Sequence, residues 1–216
     1  MRIALIHAMS VSIPPIEEAF QRLWPAAETV NLTDDSLAGD LAAAGTLQPE
    51  MTDRFHALSR YSVSAGADAI LFTCSAFGPC IEAAAADLDP LPVLKPNAAL
   101  IEECAKQGGA AAKVGLLATF KQTLDTMPPE FAAAQPAFRL KTALASEALD
   151  ALFAGDRKRH DRAAADAAVQ AFADCDVIAL AQFSLSPAAA IIKERTGKPV
   201  LTTPDTSVLK LKQMFG

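Results

Sequence analysis

Short unbroken apolar runs recur along this chain, each closed by small or hydroxylated residues and followed by a stretch with helical spacing. Such runs predict buried strands, whereas apolar positions at intervals of three and four predict helices. Read this way, strands fall at residues 3–6, around Val30 and Leu32, and at 69–72, 93–94, 114–117, 177–180 and 200–201, with an edge strand at 138–143. Helices fall at residues 16–23, 49–65, 81–87, 98–107, 121–125, 146–153, 157–173, 187–196 and 206–215, and residues 31–40 read as a polar connection. Strand and helix alternate throughout. That order implies parallel sheets joined by right-handed crossovers, the α/β class.

The pattern also repeats itself. Laid beside the run that follows Ala67, the segment from Cys175 to Pro187 places Asp68 on Asp176, Ile70 on Ile178, Cys74 on Gln182 and Pro79 on Pro187. Upstream, residues 2–6 pair with 113–117, and downstream, residues 92–94 pair with 199–201. Matching segments in one order argue for two similar α/β halves. We assign residues 1–96 plus 205–216 to the first and 97–204 to the second, the last helix returning to pack on the first half. If the halves face each other, the junctions after the two repeated strands meet across one cleft, and Cys74 looks at Gln182.

In open α/β sheets, ligands sit at the carboxyl ends of strands, so the loops there hold the candidate chemistry. Cys74 follows the strand at 69–72 and precedes a helix; unpaired N–H groups and a helix dipole should pull its thiol down from ~8.5 toward neutrality. His7 ends the first strand at the expected mouth of the cleft and reads as a positioning or packing group. Thr119 and Gln122 sit where the second half presents its own loop, and Thr119 also suits an N-cap. His56, Arg54 and Arg60 lie on what reads as a solvated helix face, and His160 belongs to a mixed-charge, solvated first turn at residues 156–162.

With 216 residues, 51% hydrophobic and 20% charged, the chain is globular and long enough for one large domain or two small ones. A net charge of −6 and a pI near 5.1 argue against a nucleic-acid partner, which needs a basic face. No run approaches the ~20 apolar residues of a membrane span. The amino terminus reads as a first strand rather than a signal peptide. Cys74, Cys80, Cys104 and Cys175 show neither zinc nor disulfide spacing, which points to a reducing cytoplasm. Dinucleotide, phosphate-loop and nucleophile-elbow motifs are absent, leaving a site without cofactor as the simplest reading.

The opening Ile3 to His7, the stretch Asp68 to Pro79 with Thr73-Cys74-Ser75, residues 113–119 and residues 176–184 resemble the aspartate/glutamate racemase superfamily. That group also includes hydantoin and allantoin racemases, maleate isomerase and arylmalonate decarboxylase. The resemblance implies two Rossmann-like halves about a pseudo-dyad with the active site between them. It also implies a metal-free and cofactor-free mechanism, two cysteines on opposite faces of a carbon acid, and a homodimer. Inverting a stereocentre beside a carboxylate requires one group to remove the α proton and another to deliver one, while fixed donors hold the enolate. Carried over by position, Cys74 matches the first cysteine and Thr73, Ser75 and Thr119 match or adjoin the carboxylate-holding positions. Ser10, Ala76, Asn97, Phe120, Phe183 and Ser184 complete the expected substrate site with His7.

Gln182 takes the place of the second cysteine. A carboxamide has no useful proton affinity near neutral pH and can only donate or accept hydrogen bonds. Phe183 should narrow the pocket. The expectation is a thiol-mediated enzyme acting on a small carboxylate, with Cys74 as base or acid. The alternatives are a one-thiol decarboxylase or isomerase of the same group, and a carboxylate-binding protein without turnover.

Overall fold

The computed structural model describes residues 1–216 and contains two four-stranded parallel sheets. The first half runs β1 (Arg2–His7), α1 (Ile13–Leu23), β2 (Glu28–Thr33), α2 (Leu37–Ala44), α3 (Pro49–Ser64), β3 (Ala69–Phe72), α4 (Gly78–Asp87) and β4 (Val93–Leu94). The second runs α5 (Pro96–Gly108), β5 (Lys113–Ala118), α6 (Lys121–Ala134), β6 (Arg139–Leu144), α7 (Ser146–Phe153), α8 (Arg157–Ala171), β7 (Val177–Leu180), α9 (Ala189–Thr196) and β8 (Val200–Thr202). Helix α10 (Thr203–Phe215) ends the chain. The strand orders, β2-β1-β3-β4 and β6-β5-β7-β8, are the same path drawn twice.

The repeat extends to single hydrogen bonds. Asp68 accepts the Arg2 N–H at 2.7 Å, and Asp176 accepts the Lys113 N–H at 2.8 Å. In both halves the aspartate N–H returns to the carbonyl of that basic residue at 2.8 Å. A shared aspartate thus fixes the register of each central strand pair, and residues 74 and 182 end up at equivalent points.

Strands β1, β3, β5 and β7 are buried on both faces, which is why they read as continuous apolar runs rather than alternating ones. Ala4, Ile6, Ile70 and Phe72 point toward α2, α3 and α4, while Ile3, Leu5, Ala69 and Leu71 point toward α1 and α10. In the second sheet Leu117, Ile178 and Leu180 face α7, α8 and α9, and Val114, Leu116, Val177 and Ala179 face α5 and α6. Val208 and Leu211 of α10 pack on Ile3 and Leu5, and α10 also lies along α5.

Three stretches depart from the sequence reading. The polar connection contains α2, whose Leu37, Ala38 and Leu41 bury one face at spacings of three and four. Helix α6 continues to Ala134 through Pro128 and Pro129, because Thr123, Met127 and Phe131 at four-residue spacing seal it onto the sheet. His160 is only 1% exposed, so the first turn of α8 is not wholly solvated. It shares a buried stripe with Ala164 and Ala168, a four-residue spacing masked by the charges around it.

Candidate active site

The two junctions meet as the repeat implies. Ser75 Oγ donates to the Ala181 carbonyl at 2.5 Å, which puts the neighbours of Cys74 and Gln182 in contact across the halves. Phe120, from the second half, packs against the same apolar cluster as Cys74.

Cys74 does not directly precede a long helix. A 3-10 turn at Ser75–Phe77 intervenes before α4, so the sulfur receives one backbone N–H, that of Ala76, rather than the donor ring of a helix terminus. Burial outweighs that one bond and pushes the Cys74 thiol up to about 11, against an ordinary value of 9.0. The residue keeps partial solvent access while its sulfur is packed, and its resting form at neutral pH is the thiol. This corrects the expectation of a lowered value.

Gln182 has a counterpart environment that differs in one respect. Its Oε1 accepts from Thr119 N at 2.5 Å, Thr119 Oγ1 at 3.1 Å and Phe120 N at 3.3 Å. Two of these donors are backbone N–H groups, so the oxygen assignment is chemically forced. Nε2 has no protein partner and is not sealed from solvent. Thr119 therefore serves Gln182 rather than standing open, and the oxygen caps the start of α6, whose N-cap Phe120 has no side chain able to do so.

Other expected site residues turn out to support the junctions from behind. His7 is fully buried: Nδ1 meets Ser12 Oγ at 3.0 Å and Thr73 Oγ1 at 2.8 Å, and Nε2 meets Asn31 Oδ1 at 2.9 Å. Burial, opposed by the Asn31 bond and Glu17, holds its pKa below 6.5. A direct contact from His7 to substrate is thus replaced by a positioning role, because both ring nitrogens are engaged. Thr73 also hydrogen bonds with Ser12 at 2.9 Å. Asn97 is buried, with Nδ2 donating to the Ser75 carbonyl at 3.2 Å and to both Glu130 oxygens at 3.1 Å. Glu130 pairs in turn with Lys95 at 2.8 Å, and Lys95 also pairs with Glu82. Gly78 permits this approach, since a Cβ there would overlap the Glu130 carboxylate.

Phe183 is a second correction. It does not narrow a pocket but, as the first residue of a 3-10 turn at Phe183–Ala188, inserts among Ile3, Leu5, Ile16 and Val208, the core of the other half. Ala76 is likewise buried, with its N–H turned to Cys74. Ser10 is exposed, on a turn that lies against the one following Gln182. Ser184 lines a cavity of about 170 Å³ between the halves, with Val11, Pro14, Glu18, Arg157, His160 and Asp161 among its walls. Cys74 and Gln182 do not line it. His160 Nδ1 bonds Asp161 at 2.7 Å and its Nε2 is unpaired; the sequence reading passed over both features.

No grouping of three or more His, Cys, Asp or Glu side chains could hold a metal ion, and no helix is long and apolar enough to cross a membrane. The chemistry available at the junction is one neutral thiol, one oriented carboxamide and the backbone groups between them.

A family model described as Asp/Glu/Hydantoin racemase matches residues 15–211. Similar solved structures include glutamate racemase from Bacillus anthracis, 12% identical over 98% of this chain and 80% of that one, with a TM-score of 0.73. Allantoin racemase from Pseudomonas fluorescens is 18% identical over 99% and 90%, with a TM-score of 0.74. Aspartate racemase from Picrophilus torridus is 12% identical over 98% and 94%, with a TM-score of 0.73. At these identities the likeness is one of fold. No curated protein matches in sequence.

Proposed function

The chain belongs to the Asp/Glu/hydantoin racemase family, and on that premise we propose that it moves a proton at the α carbon of a small carboxylate through one thiol, without a cofactor. It is an enzyme of the racemase superfamily. The observation that carries the finer reading is the pairing of a neutral, raised Cys74 thiol with an amide at the equivalent point of the other half.

In this reading Cys74 Sγ–H is the acid of the resting enzyme. The electron pair of an enediolate closes a new Cα–H bond with that proton, and the thiolate left behind is reprotonated from solvent. In the opposite sense the thiolate takes the α proton, and the electron pair spreads onto the carboxylate. His7 and Ser12 hold Thr73, and Asn97 and Glu130 hold Ser75, so the segment carrying the sulfur is braced on both sides. Two-base inversion would require a proton from the face that Gln182 occupies, and an amide cannot cycle as its source.

The raised thiol favours a second reading within the same chemistry. Decarboxylation breaks the bond between Cα and a carboxylate, carbon dioxide leaves, the electron pair remains on Cα, and Cys74 supplies the proton. That sequence needs one acid only. The four free cysteines accord with placing the enzyme in a reducing cytoplasm, and the family premise with a homodimer.

The test is solvent exchange. Amino acids, hydantoins, 2-arylmalonates and maleate are incubated in deuterated water with the native enzyme and with Cys74→Ala. Cys74-dependent deuterium at the α carbon, or a new product, is expected from at least one class. Ligand-induced thermal stabilisation with neither would make the protein a binder without turnover.

A further inference from the structure

Gln182 occupies the point that answers to Cys74, yet it does not simply fill space there. Its Oε1 gathers three donors from the start of α6, namely Thr119 N–H, Thr119 Oγ–H and Phe120 N–H, the first at 2.5 Å. That leaves the carboxamide with one possible orientation. Nε2, the other end of the planar group, has no protein partner and remains open to solvent. Donors on an amide oxygen draw electron density away from nitrogen, which makes its N–H groups stronger donors than those of a free carboxamide.

The surrounding side chains sharpen the point. The hydroxyls nearest Cys74 are already committed: Thr73 Oγ1 to His7 and Ser12, and Ser75 Oγ to the Ala181 carbonyl. Thr119 Oγ1 is committed to Gln182 itself. At the two junctions the amide of Gln182 keeps its N–H donors unspent, as Ser184 two residues on keeps an unpaired hydroxyl.

From this we infer that Gln182 is an oxyanion donor: it is fixed through Oε1, and its Nε2–H groups bind the enediolate oxygen that develops opposite Cys74. The inference rests on the α-carbon chemistry proposed above and assigns to residue 182 a role that involves no proton transfer. It also implies that the Thr119 and Phe120 donor set is closed to the substrate carboxylate, because an internal oxygen already fills it.

Gln182→Glu separates this role from a structural one. A carboxylate still accepts from Thr119 and Phe120 at a helix start, so the anchor and the fold persist, while the outward N–H donors are gone. On the substrate found by Cys74-dependent exchange, kcat should fall by about 10² to 10³, as for loss of one oxyanion donor, with KM little changed. Activity should recover as pH falls through the new carboxyl group's titration, because its acid form regains an O–H donor. Gln182→Ala should lose as much without recovery at low pH.

A readout independent of turnover uses the nitronate form of 3-nitropropionate, a planar oxyanion, at pH ~9.5, where a thiol near 11 is still neutral. The native enzyme should bind it at least tenfold more tightly than Gln182→Glu does, with Cys74→Ala close to native. Native kcat in a folded Gln182→Glu enzyme, equal nitronate affinities, or no nitronate binding by the native enzyme would overturn the inference. Absence of Cys74-dependent exchange would instead remove the proton-transfer reading, and the nitronate comparison would still decide the role of Gln182.

Discussion

The raised thiol makes a direct prediction about chemical reactivity. Cys80, Cys104 and Cys175 are at most 2% exposed, so Cys74 is the cysteine that a small neutral alkylating agent reaches in the native fold. With a value of about 11 in place of 9.0, the thiolate fraction at pH 8 drops from about 0.09 to about 0.001, roughly ninetyfold. The more basic thiolate is also the better nucleophile, by about eightfold for a two-unit difference at a Brønsted slope near 0.45. A net slowing of roughly tenfold remains, before any steric shielding. The assay follows iodoacetamide labelling of the Cys74 peptide by mass spectrometry from pH 6 to 10, against a model thiol. The log rate should climb with unit slope through pH 10 without levelling. A plateau below pH 8 would refute the claim that burial outweighs the Ala76 N–H, and would restore a thiolate as the resting form.

A Cβ on Gly115 would lie 2.5, 2.7 and 2.9 Å from three ring atoms of the fully buried Phe172. Gly115→Ala should therefore cost about 1–3 kcal/mol and lower the melting temperature by several degrees, and adding Phe172→Leu should recover most of the loss; an unchanged melting temperature in the single variant would contradict the packing. His7 titrates below its ordinary 6.5 in the fold because burial disfavours its charge. The unfolded chain then binds the extra proton first, so this contribution to stability is full above pH 6.5 and is lost as pH falls toward the folded value. In His7→Gln, unfolding free energy measured by urea should decline less between pH 6.5 and 5 than in the native protein. Glu130→Ala leaves Asn97 Nδ2 with the Ser75 carbonyl alone and Lys95 with Glu82 alone. A loss of about 1–3 kcal/mol and faster Cys74 labelling are expected, and unchanged labelling would show that this cluster does not brace the Ser75 turn.

Much of the architecture was legible because its signals are local. Uninterrupted runs such as Ala69 to Phe72 and Val177 to Leu180 match β3 and β7 residue for residue, since strands covered on both faces have no polar alternation to confuse them. The aspartate echo, Asp68 with Asp176, was visible before its hydrogen bonds were. Side-chain direction was less legible. Phe183 follows Gln182 by one position and opens the 3-10 turn at Phe183–Ala188, and only the fold shows that its ring enters the core of the other half. The thiol value failed for a related reason: Ser75 to Phe77 read as the approach to a helix, and one intervening 3-10 turn removes most of the donors that would have stabilised charge. His7 and Asn97 were singled out by their places at strand ends, but their partners Asn31, Ser12 and Glu130 lie 5 to 33 residues away in sequence.

The central claim is that one face of the substrate receives its proton from one sulfur. It is tested most directly by the handedness of the label: turn over the substrate in deuterated water, isolate the product, and determine the configuration of the deuterated α carbon. A single configuration from the native enzyme, lost in Cys74→Ala, is the expected result. Deuterium appearing equally in both configurations, or persisting without Cys74, would mean that a second group works the opposite face and that the one-thiol account is wrong.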